Sequence, residues 1–397
     1  MKHKIIKLSL LAVLATSNVQ AADKVSDEAS LMNAIEMANA DSSIHKIVFE
    51  KNSQIDLTSA VIYTGSQDLA VLGNGSTISG AAIGDGDTLT FITAGNISIQ
   101  KLAVVDSTAR GVVVEIPADA EGDDIQVSLH KVKILRSALY GLHIDDNADE
   151  LDDGEEGSAI GIELNISHSS FIANGTGAID YDGVRVDERA DGDIHATISH
   201  THIDGNGGDG IELDEAGDGD VDVTMRHVTL NGNGFFNEED LDDGFDIDEA
   251  GAGDVIVSLF KVEAKDNQDE GLDFDEAGAG NVKLKLRKVV AMNNFDEGIK
   301  VDEEDAGNIE AKLFKVVVQG SGDDGIQFTE LGEGRVEAEL KKVSATENAK
   351  YGVKIEQWDI EDEGADTAEK GALKVKNLTL DGNGKGDELI LHNIIVE

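Results

Sequence analysis

Carboxylates recur in this chain at fixed spacing, and they are the side chains best placed to do chemistry. Asp187, Asp214, Asp248, Asp275 and Asp302 occupy equivalent positions, continued by Thr329 and Glu356. Each is followed by a glutamate: Glu188, Glu215, Glu249, Glu276 and Glu303, with Glu330 after Thr329. Two residues before each aspartate stand Arg185, Glu212, Asp246, Asp273 and Lys300. Calcium takes six to eight hard oxygen ligands at about 2.4 Å, which such carboxylates supply. The expected metal ligands are therefore Asp187, Asp214, Asp248, Asp275 and Asp302, with Glu215, Glu249, Glu276 and Glu303. The aspartates also allow an acid–base reading. Asp246 with Asp248, and Asp273 with Asp275, would lie roughly 6–7 Å apart on a strand, near the carboxyl separation of inverting glycosidases. A basic column accompanies them: Lys101, Lys131, His168, His200, His227, Lys261, Lys288, Lys315 and Lys342. Its three histidines could hold zinc only if neighbouring rings converge.

The elements that position these columns follow from a repeat. Asp182-Gly183-Val184, Asp209-Gly210-Ile211, Asp243-Gly244-Phe245, Glu270-Gly271-Leu272, Glu297-Gly298-Ile299, Asp324-Gly325-Ile326 and Tyr351-Gly352-Val353 are separated by 27, 34, 27, 27, 27 and 27 residues. The frame extends back to Tyr140-Gly141 and Arg110-Gly111. Within each unit apolar residues alternate with polar ones and glycine turns intervene, the signature of short strands. A fixed period of this length indicates a solenoid. Three short strands per unit make one coil of a parallel β-helix, with equivalent residues stacked ~4.8 Å apart. Val184, Ile211, Phe245, Leu272, Ile299, Ile326 and Val353 then form one inward column, and Val186, Leu213, Ile247, Phe274, Val301, Phe328 and Ile355 another. Asn206, Asn267, Asn294 and Asn348, with Ser321 as the exception, are expected to stack as an amide ladder in left-handed geometry at a corner. Residues 26–39 read as an amphipathic helix with Ser26 as N-cap and Leu31, Ile35 and Ala38 on one face, which would cover the end of the solenoid. Stacked carboxylates ~4.8 Å apart repel by roughly 3.5 kcal/mol at an effective dielectric of 20, so basic neighbours, protons or cations must offset them. The alternative is a solvated acidic face.

Composition sets the outer limits. The chain of 397 residues has 80 acidic and 32 basic side chains, a net charge of −48, one proline and no cysteine. That charge excludes a general nucleic-acid binder and the missing cysteines exclude disulfides and thiolate metal sites. Residues 1–21 read as an export signal: Lys2, Lys4 and Lys7, an apolar run from Leu8 to Ala15, then Val19-Gln20-Ala21 as the cleavage site. Residues 22–397 are then the mature β-helix domain, a monomer without a membrane span, in the periplasm or outside the cell. Acidic insertions at 145–156, 235–242 and 358–370 lengthen individual coils, with Phe235, Phe236 and Trp358 expected to pack.

The order Ile47-Val48-Phe49, Ile55-Asp56-Leu57 and Val71-Leu72-Gly73-Asn74-Gly75-Ser76-Thr77-Ile78-Ser79-Gly80 resembles the start of the pectin-lyase-like right-handed β-helix superfamily. The repeated Asn-x-x-[Asp/Glu]-Gly-[Ile/Leu/Phe] is similar to that superfamily's coil repeat. The resemblance implies a single right-handed parallel β-helix. Its lyases would carry an arginine base near a proline, but Pro117 has no arginine around it. Its polygalacturonases would add Gly-His-Gly and Arg-Ile-Lys to paired aspartates, and only Asp323-Asp324-Gly325 matches. The expectation is thus an exported, acidic, calcium-binding β-helix with a structural role or a role in binding polysaccharide or a surface partner. The alternative is a polysaccharide lyase or inverting glycoside hydrolase acting on acidic polysaccharide.

Overall fold

A computed structural model describes residues 24–147, 157–236, 241–359, 367 and 369–397. The expected export signal lies outside these residues, as do the central parts of the three acidic insertions. The chain winds into a single right-handed parallel β-helix. A typical coil has a first strand (Ile211–Glu215), a glycine turn, then second and third strands that run on as Val221–Asn231 across one left-handed residue, His227. Among the described residues the first strands form a sheet of twelve, and the second and third strands together a sheet of twenty. Pairing is parallel and in the register of the repeat: Val184 opposes Ile211, Ile211 opposes Phe245, and Ile326 opposes Val353.

The alternation explains the core. Both expected inward columns are fully buried, from Val184 and Val186 to Val353 and Ile355. At the N-terminal end, helix α1 (Glu28–Ala40) closes the solenoid and buries Leu31, Ala34, Ile35 and Ala38. Its N-cap is Asp27, one residue later than expected. Asp27 accepts from the Ser30 N–H while Ser30 Oγ accepts from the Asp27 N–H, a reciprocal cap that Ser26 cannot make.

The asparagine ladder is present and buried. Asn174, Asn206, Asn233 and Asn267 each donate Nδ2 to the Oδ1 of the next, ending on Asn294, over 3.0–3.2 Å. Asn348 donates to Asn383 at 2.9 Å. Ser321 interrupts the series, and its hydroxyl is buried without a hydrogen-bond partner. The left-handed residue is not the asparagine but the one before it, such as Asp266, Asn293 or Glu347. The asparagine itself needs its N–H aimed along the stack, where the next Oδ1 accepts it too. The glycine of the acid-Gly motif faces this ladder: a Cβ on Gly183, Gly210 or Gly244 would strike the amide nitrogen of Asn206, Asn233 or Asn267.

Candidate functional site

The outer face of the first-strand sheet carries the acidic columns, and the structure places them in three different settings. At the N-terminal part the carboxylates are paired with cations. Asp187, buried, accepts from His143 Nε2 at 2.7 Å, Arg185 Nε at 2.5 Å and Arg189 Nη2 at 3.2 Å. Asp214 is held by Arg189 Nη1 and Nη2 at 2.8 and 2.9 Å and by Arg185 Nη2 at 3.1 Å. Arg185 also contacts Glu212. Arg110 lies 3.0 Å from His143 Nδ1 and is itself clasped by Asp87. A guanidinium only donates, so His143 accepts at Nδ1 and donates its Nε2–H to Asp187. Burial works against the charge on Asp187, but Arg185 and His143 overcome it and hold the carboxyl below its ordinary range. At the C-terminal part Lys300 does the same work. Its Nζ is 2.6 Å from Asp273, 3.4 Å from Glu270 and 3.8 Å from both Asp275 and Asp302.

Between these two groups lies a stretch without cations. Asp209, Asp243, Asp246 and Asp248 have no ion pair within 4 Å among the described residues. Asp209 and Asp243 are buried at the start of their coils. Their Oδ1 atoms accept the N–H of Asp243 and, at 2.6 Å, of Glu270, as Asp182 accepts from Asp209 at 2.7 Å. These bonds tie each coil to the next and account for the acid in the acid-Gly motif. Carboxylate oxygens also converge here. Asp209, Glu212 and Asp246 form a triad whose oxygens lie within 4.8 Å of one another, and so do Asp243, Asp246 and Asp273, and Asp243, Asp269 and Glu270. Burial, and then the neighbouring carboxylates, push Asp209, Asp243 and Asp246 well above the ordinary range.

The glutamates occupy the third setting. The sequence reading grouped them with the outward aspartates, but Glu188, Glu215, Glu249, Glu276, Glu303 and Glu330 are almost fully buried. Strand alternation carries the signal: Glu215 has the parity of Ile211 and Leu213, so it turns inward at the corner. Glu188, Glu215, Glu249 and Glu276 close on their own glycine turns. Glu249 Oε1 accepts from Gly251 and Gly253 at 3.0 and 3.1 Å, and Glu215 and Glu276 accept likewise. The turns stack so tightly that a Cβ on Gly251 would land on the Gly217 carbonyl oxygen. The second oxygens of Glu215, Glu249 and Glu276 are buried with no other donor, and they meet the carboxyl of the adjacent coil. Burial, then those neighbours, raises Glu188 to about 10, Glu215 to about 8, Glu276 to about 9 and Glu303 to about 8. The column ends on Gln357, a buried neutral residue in register with Glu330. A solvated acidic face is therefore not what the glutamates form.

The structure thus separates the expected metal ligands. Asp187 and Asp214 sit on arginines, Asp275 and Asp302 flank Lys300, and Asp248 stands between them. The expected acid–base pairs are divided too, since Asp273 is bound to Lys300 while Asp246 belongs to the triads. The triads draw on Asp209 and Asp243, which the sequence reading had used only to mark the repeat. The histidine column stacks instead of converging: His168, His200 and His227 have ring centroids 4.8 Å apart and interplanar angles of 7° and 21°. Trp358 packs on His392 with centroids 3.4 Å apart, whereas Phe235 and Phe236 are exposed.

No protein-family model matches the chain, and no curated protein matches it. Among solved structures it is similar to the periplasmic alginate epimerase AlgG, with 14% identity over 94% of this chain and 83% of that one, TM-score 0.49. The A-module of Azotobacter vinelandii mannuronan C-5 epimerase AlgE4 gives 14% identity over 96% and 97% of the two chains, TM-score 0.45. The catalytic domain of a GH87 alpha-1,3-glucanase gives 11% identity over 96% and 68%, TM-score 0.36.

Proposed function

We propose that this chain is an exported β-helix scaffold that takes up calcium along its acidic face and uses the loaded face to hold a glycan or a partner surface. One observation carries the reading: the triads gather carboxylates around Asp209, Asp243 and Asp246, which among the described residues themselves contact no lysine or arginine. A single cation at each end, Arg185 on Glu212 and Lys300 on Asp273 and Glu270, is outnumbered by the acids. Opposite ligands on a calcium stand about 4.8 Å apart, twice a Ca–O distance of about 2.4 Å. The triad oxygens lie within that width of one another. All the donors are hard oxygens, which suits calcium over zinc or copper. Bound calcium would neutralise the buried charge and leave coordination positions for a carboxylate or hydroxyls of a ligand. Asp209 and Asp243 would hold the ion from the coil starts, and Asp246 and Asp273 from the strand face. The export signal would deliver the chain to a compartment where calcium is plentiful.

The test is a calorimetric titration of the mature protein with calcium, beside a D209N/D243N/D246N variant. Saturable uptake is expected in the wild type and its loss in the variant, with the far-ultraviolet circular dichroism spectrum unchanged. A wild type that takes up no calcium at millimolar concentration overturns the reading.

A further inference from the structure

The basic column forms a ridge at the corner between the second and third strands, opposite the acidic face. From Lys101 to Lys342 it passes through nine coils, and every residue in it has a left-handed backbone, with φ between 52° and 58°. Asn52 and Asn74 precede it and Asn377 follows it in the same conformation. Asparagine is what that backbone favours; histidine is tolerated there and lysine is strained. Backbone geometry therefore does not account for lysine on six of the nine coils. The adjacent column adds Arg226, Phe260, Arg287, Phe314 and Lys341. The Arg287 guanidinium lies 5.2 Å from the Phe260 ring and 6.0 Å from that of Phe314. Over the nine coils neither column contains an acid, in a chain of net charge −48. Two concavities open on the ridge. One of about 200 Å³ is lined by Arg226, Phe260, Lys285 and Arg287. The other, of about 610 Å³, is lined by Lys51, Lys101, Lys131 and Lys133.

We infer that this ridge is a docking surface for a linear anionic glycan. The cations recur at the coil spacing of ~4.8 Å and the column is roughly 38 Å long, so it offers charge to an extended chain rather than to a single small anion. One pyranose unit advances such a chain by a comparable step. Phe260 and Phe314, half-buried between cations, present faces on which the C–H face of a sugar ring can rest. The ridge is only two residues wide and acidic surface lies beyond it. A thin single chain fits those limits, whereas a nucleic-acid duplex or a second copy of this protein would bring its charge against the acidic flanks. At physiological salt the Debye length is about 8 Å, so a chain lying on the ridge feels the ridge more than the net charge.

Binding is tested with polygalacturonate and dextran sulfate, in chelator and at physiological ionic strength, with neutral dextran and single-stranded poly(dT) as comparators. Chelator removes any calcium bridge on the acidic face, so this result and the calcium result fail separately. R226Q/R287Q strips the smaller concavity. K261N/K288N/K315N removes ridge charge while supplying the residue its backbone favours, so that variant folds. At least a tenfold loss of affinity is expected from each, and none from D209N/D243N/D246N. The inference is overturned if neither anionic polymer binds, if neutral dextran or poly(dT) binds as well as they do, or if K261N/K288N/K315N binds like the wild type.

Discussion

Replacing Glu249 and Glu276 together with glutamine should make the protein less sensitive to alkali. Gln357 already occupies the same column, so an amide fits the corner. The raised carboxyls hold protons in the folded chain that the unfolded chain has released. Glu215, Glu276 and Glu303 move from 4.5 to about 8, 9 and 8. Below pH 4.5 both states are protonated and the column contributes no pH dependence. Between 4.5 and the folded values the native state binds more protons, so stability falls as pH rises, and above them the full penalty of ionisation is felt. Each excess proton gives a slope of about 1.4 kcal/mol per pH unit. Glu188, Glu215, Glu276 and Glu303 stay protonated near neutrality and hold about four excess protons, a slope of about 5–6 kcal/mol per pH unit. The double variant removes the proton held by Glu276 and should reduce the slope by about 1.4 kcal/mol per pH unit or more. The assay is the urea midpoint followed by circular dichroism from pH 5 to 9, in chelator. Raised carboxyls elsewhere, such as Glu212 and Asp275 at about 7, contribute equally to both proteins and cancel in the comparison. A variant with an unchanged slope would refute the reasoning. The glutamates would then be ionised when folded and would need cations in the column.

Millimolar calcium should raise the melting temperature more than sodium at equal ionic strength, because sodium screens charge without bridging carboxylates. Most of that difference should vanish in D209N/D243N/D246N and less of it in D214N/D248N/D275N/D302N, three of whose sites already have a cation within reach; equal shifts from the two salts would leave only screening. Asn267→Ala should lower stability by about 1–3 kcal/mol, read from the urea midpoint, because it strands buried amide groups on both neighbouring coils. Asp187→Asn should destabilise by about 3–5 kcal/mol at pH 7, since it leaves Arg185 and Arg189 under-compensated beside Asp214. Its folded-state carboxyl is depressed, so its contribution is present above pH 3.8 and lost as pH falls through the folded value, and wild type and variant should draw together as the pH falls below 3.8.

Most of the architecture was legible because a solenoid writes its register into the sequence. The interval from Asp243 to Glu270 to Glu297 fixes which residues stack, and alternation fixes which of them point inward. The helical cap and the amide ladder followed from the same reading. The site was less legible. Alternation runs out at the end of the first strand, where Glu215 and Glu249 could be taken as outward corner residues, although parity already turned them inward. The glycine turns then wrap them, which depends on three-dimensional closure. Arg185, Arg189 and Lys300 reach across coils to neutralise aspartates, and spacing alone does not tell which carboxylates they leave over. The handedness of the backbone at Lys261 or Lys288 had no marker, because lysine is not a residue that conformation usually selects.

Ser321 has a bearing on how the rod comes apart. In a solenoid each coil touches only its neighbours, so cohesion is a series of nearest-neighbour couplings. A serine hydroxyl is too short to continue the amide relay, so Asn294 keeps only the carbonyl bond that Asn233 and Asn267 also make, here to Ala264. The relay resumes with the Ser321 N–H, which donates to Asn348 Oδ1 at 3.1 Å. The amide ladder is therefore two blocks spliced at one joint, with the backbone pairing and the apolar columns running through the splice unbroken. Under tension or partial denaturation the joint is where the blocks should part first. Amide exchange would record it as a step in protection between the coils of Asn294 and Ser321.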